Sequence, residues 1–268
     1  MSEGKIDGPA GPIAWHDEGS GPPLVLINGY AATAADWDPG FVAALATRSR
    51  VICPDNRGMG DSGGSADGLS VEAMAADAIA LLDGLGIEAA DVAGWSMGGF
   101  VAQEVAASAP DRVRSLILLS TSGGGPDAPR STADAWRALT DHGGTPDEQA
   151  RRLLGLLFPS EFAERVYAEF GDLVAAARAR LDPAMLSAQE AAMIAWQRDP
   201  PSERLAAIRA PALIAAGGED VVIPAANSEL LASAVPDSWL ARFPGCGHAF
   251  MAQEPDRSAA LITAFLGR

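Results

Sequence analysis

Several functions are excluded by what the chain lacks. Two cysteines, Cys53 and Cys246, in 268 residues give neither a disulfide framework nor zinc-ligand spacing, which suits a reducing compartment. Lys and Arg number 19 against 35 Asp and Glu, a net charge of −16. Binding to phosphate needs concentrated positive charge, so nucleic acid and anionic membrane surfaces are not expected partners. No apolar run approaches the roughly 18–20 residues that cross a bilayer. The opening MSEGKIDGPAGPIAW has no charged stretch followed by an apolar one, so no secretory signal is visible and a cytoplasmic location is expected. Histidines number three, which makes each one worth placing.

What the chain has is apolar mass and glycine. Hydrophobic residues make up 48% and glycines number 29, and the length allows one large core. Short apolar runs recur as Leu24–Ile27, Val51–Cys53, Asp91–Trp95 and Ser115–Leu119. Between them lie Ala-rich stretches with helical spacing, Asp36 to Thr47, Val71 to Leu85 and Gly98 to Ala107. Uninterrupted apolar strands separated by helices predict a parallel sheet covered on both faces. The alternation resumes with Ala212–Ala216, a helix near Ala225 to Ala234, Trp239–Phe243 and a last helix near Asp256 to Leu266.

From residue 122 to about 207 the strand signal stops. A Gly/Pro-rich turn, GGGPDAP, leads into amphipathic helical sequence carrying Trp136, Phe158, Phe162, Tyr167, Phe170 and Trp196. An all-helical stretch inside an alternating chain predicts a cap at 122–207, inserted between core segments 1–121 and 208–268.

Two serines sit in Gly-x-Ser-x-Gly. Ser62 lies in GDSGG, the pentapeptide around the nucleophile of trypsin-like proteases, and Ser96 lies in GWSMG. The protease reading needs paired barrels, disulfides and an upstream histidine loop. Upstream of Ser62 there is only His16, in IAWHDEG, so Ser62 is set aside. Ser96 follows an apolar strand and precedes a helix, where a sharp turn strains the backbone and small flanking residues relieve crowding. A helix N-terminus there offers free N–H groups to a developing oxyanion. A serine helix cap would look the same locally, so the rest of the constellation decides.

A serine hydroxyl needs a base, usually a histidine oriented by a carboxylate. His16 and His142 fall in contexts that suit solvated or structural roles. His248, in FPGCGHAF, follows the last apolar strand, where loops of open α/β sheets converge on ligands. GGEDVVIP after Ala216 offers Asp220, with its neighbour Glu219 as the alternative. Trp95, Trp136 and Trp196 are candidates to line an apolar pocket.

The order Ser96, Asp220, His248 resembles that of the α/β-hydrolase superfamily, serine-nucleophile branch. The resemblance runs over essentially the whole chain through GWSMGG, GGEDVVIP and GCGH. It implies a mostly parallel central sheet flanked by helices, with the cap inserted after the sixth strand. It implies that Ser96 attacks a carbonyl, His248 takes the proton and Asp220 holds the His248 tautomer. Asp55-Asn56-Arg57-Gly58-Met59-Gly60-Asp61-Ser62 is similar to the family's DxRGxGxS turn, which makes Ser62 scaffold, with Arg57 expected to bind nearby backbone. The oxyanion hole is implied at the N–H groups of Met97 and Tyr30. The latter follows LINGY, where Asn28 replaces the family's histidine and Gly29 is kept. Asn28 and Gly29 are expected at the substrate, Asn28 either as a donor to it or as a structural bond to the loop. The implied activity is cofactor-free and metal-free hydrolysis of a carboxylic ester or lactone of a small apolar substrate. Carbon–carbon bond hydrolysis or a lyase step on a diketone or polyketide-like substrate, with Arg137, Arg151, Arg152 and Arg198 facing an anion, and a ligand receptor with a slow triad are the alternatives.

Overall fold

In the computed structural model, residues 1–198 and 202–268 are described; positions 199–201 of the expected insertion lie outside them. Eight strands form one sheet in the order β1-β2-β4-β3-β5-β6-β7-β8. They are β1 Ser2–Gly8, β2 Gly11–Glu18, β3 Pro23–Ile27, β4 Arg50–Pro54, β5 Ala90–Trp95, β6 Val113–Leu119, β7 Ala212–Gly217 and β8 Ser238–Phe243. From β4 to β8 across the sheet every pairing is parallel, while β1 and β2 form an antiparallel hairpin against β4.

The apolar runs are continuous because both sheet faces are covered. Val25, Ile27, Ile52, Val92, Leu116, Leu118 and Ile214 point to one side. They meet α2 (Val71–Gly84) and α3 (Met97–Ser108) through Met74, Leu81, Phe100 and Val105. Their alternates, Leu24, Leu26, Val51, Ala93, Ile117, Leu119 and Leu213, point to the other. They meet α1 (Pro39–Ala46) and α11 (Pro255–Leu266) through Phe41, Leu45, Ile262 and Phe265. Period-two alternation therefore divides two cores rather than core and solvent.

The N-terminal hairpin β1/β2 supplies the two strands that a cap after the sixth strand implies, and it carries charged residues in a half-exposed pattern with no apolar run. One segment differs from expectation. The predicted helix at Asp36 to Thr47 begins only at Pro39, because the Asp38 carboxylate caps it by accepting from Phe41 N–H at 2.8 Å.

Between β6 and β7 the described residues are helical and carry no strand: α4 Ala133–Thr140, α5 Pro146–Leu157, α6 Ser160–Arg178, α7 Pro183–Trp196 and α8 Ser202–Ala207. Their starts follow from the sequence. Thr145 and Glu148 close a capping box on α5, and the Asp182 carboxylate accepts from Ala184 N–H at α7. After β7 come α9 (Ala226–Ala234), β8, and α10 (Phe250–Gln253) before α11. Among the described residues no helix is long and apolar enough to cross a membrane.

Parallel strands put their carboxyl ends on one edge. The chain leaves β3 toward β4 on one side and returns to β5 on the other, and such a switch point opens a crevice.

Candidate active site

Ser96 joins β5 to α3 with φ 57° and ψ −121°, a conformation that an L-residue holds only when its surroundings over-determine it. They do so here. Ser96 N–H donates to Leu119 O at 2.9 Å, and its carbonyl accepts from Gly99 N–H at 2.9 Å and the Thr121 hydroxyl at 2.8 Å. A Cβ on Gly94 would lie 2.1 Å from Gly98 O, and one on Gly98 would lie 2.1 Å from Ile27 O. Only glycine permits this turn. Ser96 caps α3 without using its hydroxyl on the helix.

The loops after β7 and β8 approach as closely. A Cβ on Gly217 would lie 2.0 Å from Gly247 O, and Glu219 N–H donates to Cys246 O at 2.8 Å. That contact delivers Asp220 to His248. Asp220 Oδ2 lies 2.7 Å from His248 Nδ1, with both side chains buried. Asp220 Oδ1 accepts from Val222 and Ile223 N–H at 2.8 Å each, which fixes the carboxylate. Its neighbour Glu219 is exposed. A His248 that donates Nδ1–H to Asp220 keeps Nε2 as the basic nitrogen. Trp95 packs beside it, ring centroids 5.5 Å apart, and donates Nε1–H to His248 O at 3.1 Å.

Gly29, two residues past the end of β3, brings its backbone against the serine: a Cβ there would sit 3.1 Å from Ser96 Cβ and 3.6 Å from its Oγ. Met97 opens α3 and is fully buried, so its N–H is one of the orphan donors of a helix start. Gly29, Tyr30, Trp95, Ser96 and His248 all line one cavity of about 640 Å³. The helical insertion supplies the opposite wall with Trp136, Leu139, Leu154, Phe158 and Met193, beside Arg130, Arg178 and Arg198.

Some expected contacts go elsewhere. Asn28 is fully buried and donates Nδ2–H to Thr33 O at 2.7 Å, holding the loop rather than lining the cavity. Trp196 is also off the cavity wall. It stacks on Phe100 at 4.4 Å and donates Nε1–H to Glu104 at 2.7 Å. Of the four arginines expected near an anion, Arg198 lines the cavity. Arg137 pairs with Asp134 at the surface, Arg151 lies over the Tyr167 ring, and Arg152 bonds the carbonyls of Asp141 and Gly143. The Tyr30 ring lines the cavity but its phenol donates to Glu190 at 2.6 Å, with His142 Nε2 at 3.3 Å. Burial, then that carboxylate, push the phenol well above its ordinary pKa. Arg130, in the loop before α4, and Arg178, at the end of α6, were not singled out by sequence; an arginine in such a segment carries no mark of the face it will meet.

Ser62 is tied into scaffold. Its hydroxyl donates to Asp55 O and accepts from Ala14 N–H, both at 2.8 Å. Asp55 in turn accepts from Ala34 and Asp61 N–H. Arg57 forms a buried two-pronged pair with Asp77 and reaches backbone at Ala73 O, 3.3 Å away. The expected backbone role of Arg57 is thus secondary to an ion pair. Cys246 is a buried packing residue whose thiol is pushed up by burial. Among the described residues no three His, Cys, Asp or Glu side chains are grouped to hold a metal ion.

Comparison with known proteins agrees with this architecture. The alpha/beta hydrolase fold family matches residues 22–255. The chain is 33% identical over 251 residues to a putative carbamate hydrolase, RutD, of Azorhizobium caulinodans, covering 93% of this chain and 92% of that one. It is 34% identical to a 2-hydroxymuconate semialdehyde hydrolase of Pseudomonas putida, covering 94% and 89%. A thermophilic esterase from Thermogutta terrifontis superposes with a TM-score of 0.83 at 27% identity, covering 99% of this chain and 98% of that one. The chain belongs to the alpha/beta hydrolase fold family.

Proposed function

We propose that the protein is a serine hydrolase that cleaves a carboxylic ester or lactone of a small apolar substrate through an acyl-enzyme on Ser96. One observation carries this reading: a serine held at a left-handed strand-to-helix turn shares a cavity with a buried His248 whose Nδ1 is engaged by Asp220. In the proposed reaction His248 Nε2 removes the Ser96 proton as Oγ adds to the acyl carbon. The N–H groups of Met97 and Tyr30 receive the oxyanion. The proton then passes from His248 to the departing alkoxide, leaving the acyl group on Ser96. Water, deprotonated by the same imidazole, adds to the acyl-enzyme; the imidazolium then returns the proton to Ser96 Oγ as the acid leaves. Asp220 keeps the imidazole in the required tautomer and stabilises its charged form.

The walls support the apolar part of this reading. Trp136, Leu139, Leu154, Phe158 and Met193 offer apolar surface to an acyl or alcohol chain. A second reading, carbon–carbon bond hydrolysis of an anionic diketone by the same residues, has one specific support: Arg178 and Arg198 on the cavity wall. A product-resolved panel of simple esters, enol-lactones and vinylogous diketones, run on wild type and Ser96→Ala, tests both. Ester or lactone turnover lost in Ser96→Ala supports the proposal. Diketone cleavage with inert esters would replace it with the second reading, and ligand binding without any turnover would make the protein a receptor.

A further inference from the structure

The turn that carries the Tyr30 amide is held from outside the sheet. Ala31 lies at φ +57°, a region in which an alanine needs external support. The helical insertion supplies it. Ala31 N–H donates to Gln189 Oε1 at 3.0 Å. The Tyr30 hydroxyl donates to Glu190 Oε1 at 2.6 Å, and the same carboxylate oxygen lies 2.7 Å from His142 Nε2. Arg178 Nη1 stands 3.5 Å from Ala31 O.

Gln189 and Glu190 are consecutive on α7, so one helix reaches both the backbone and the side chain of this turn. The two bonds flank Tyr30 Cα, one at its ring tip and one at the following amide. With both ends fixed, the preceding N–H has little room to rotate. Gln189 is fully buried and its Nε2 has no hydrogen-bond partner among the described residues. A buried amide with an orphaned donor is a poorer packing choice than an apolar side chain of similar length. What the amide adds here is an acceptor for Ala31.

We propose that Gln189 and Glu190 are positioning residues, which hold the Tyr30–Ala31 turn so that the Tyr30 N–H faces the acyl oxygen, and that docking of α7 completes the oxyanion hole. The proposal rests on the serine hydrolase reading. It makes the insertion part of the catalytic geometry as well as a wall.

Gln189→Leu removes the acceptor at similar volume. On an activated ester its kcat should fall about tenfold or more while KM stays within about twofold, since an interaction made in the transition state is lost. Inhibition by a trifluoromethyl ketone, which forms an oxyanion on adding to the serine, should weaken by a similar factor. Glu190→Gln keeps an acceptor for the phenol and should retain kcat within about threefold, whereas Glu190→Leu should fall with Gln189→Leu. Tyr30→Phe keeps the ring and loses only its bond, so it carries the test if Gln189→Leu does not fold. Wild-type kcat in Gln189→Leu and Tyr30→Phe, or a raised KM with unchanged kcat, would overturn the proposal. Ser96→Ala run alongside separates the two claims. An inactive Ser96→Ala beside a fully active Gln189→Leu removes the positioning role alone, and an active Ser96→Ala removes the hydrolase reading.

Discussion

The floor and the roof of the cavity are built by different physics. At the floor, backbone meets backbone: Gly94 against Gly98, Gly98 against Ile27, Gly217 against Gly247, all at separations that admit no side chain. Ser96, Asp220 and His248 stand on loops whose amides and carbonyls are individually bonded. At the roof, helices meet the cavity through apolar side chains such as Leu139, Leu153, Leu154, Leu157 and Phe158, and dispersion is non-directional. A floor of this kind fixes atoms to fractions of an ångström. A roof of this kind fixes shape and tolerates exchange. Under the proposed reaction, chemistry belongs to the floor and selectivity to the roof, with α7 reaching across at Tyr30 and Ala31.

The largest effects should come from the floor and be the same for every substrate. Ser96→Ala and His248→Ala should each lower kcat/KM by about 10⁴-fold or more, measured on any ester that wild type turns over. A loss that depends on the ester would mean that these residues bind rather than react. Asp220→Asn keeps the shape and disturbs the His248 tautomer, so a fall of about 10³–10⁴-fold in kcat is expected from steady-state kinetics. The roof should behave otherwise. Leu139→Trp narrows the cavity and should shift kcat/KM between long-chain and short-chain esters by about 10–100-fold while sparing the shortest. An equal loss on all chain lengths would erase the distinction.

A scaffold serine gives the smaller contrast. Ser62→Ala leaves Ala14 N–H and Asp55 O without their partner and should cost about 1–3 kcal/mol of stability in denaturant melts. Its kcat should be that of wild type. Smallest is the alkaline titration of Tyr30. Burial disfavours the phenolate and raises this group's pKa, so tyrosinate absorbance below about pH 11 should be the same in wild type and Tyr30→Phe. A lost early tyrosinate signal in Tyr30→Phe would show an exposed phenol.

The floor was also the part most legible in the sequence. Ser96, Asp220 and His248 each follow an apolar strand, and parallel topology brings those three ends to one edge. Chain order and strand position therefore carried the spatial information. Choosing Asp220 over Glu219 needed more, because adjacent residues share a context, and the backbone bonds to Val222 and Ile223 separate them. The roof was legible as helices but not as faces. Trp136 and Trp196 both lie on amphipathic segments, yet one lines the cavity and the other stacks on Phe100. Helical spacing says that a face is buried without saying what it meets. Asn28 left two readings open, a donor to substrate or a structural bond to the loop, and its amide donates to Thr33 O, which is the second. The β1/β2 hairpin has no apolar run of its own, since an exposed edge needs none, and was implied only by the strand count that puts the cap after the sixth strand.

The central claim is that the nucleophile is the serine of the strained turn and not the one in GDSGG. Labelling the native protein with a fluorophosphonate and mapping the adduct by peptide mass spectrometry tests it directly. The expected result is one adduct, on Ser96, that disappears in His248→Ala and persists in Ser62→Ala. An adduct on Ser62, or labelling of Ser96 that is indifferent to loss of His248, would contradict the account.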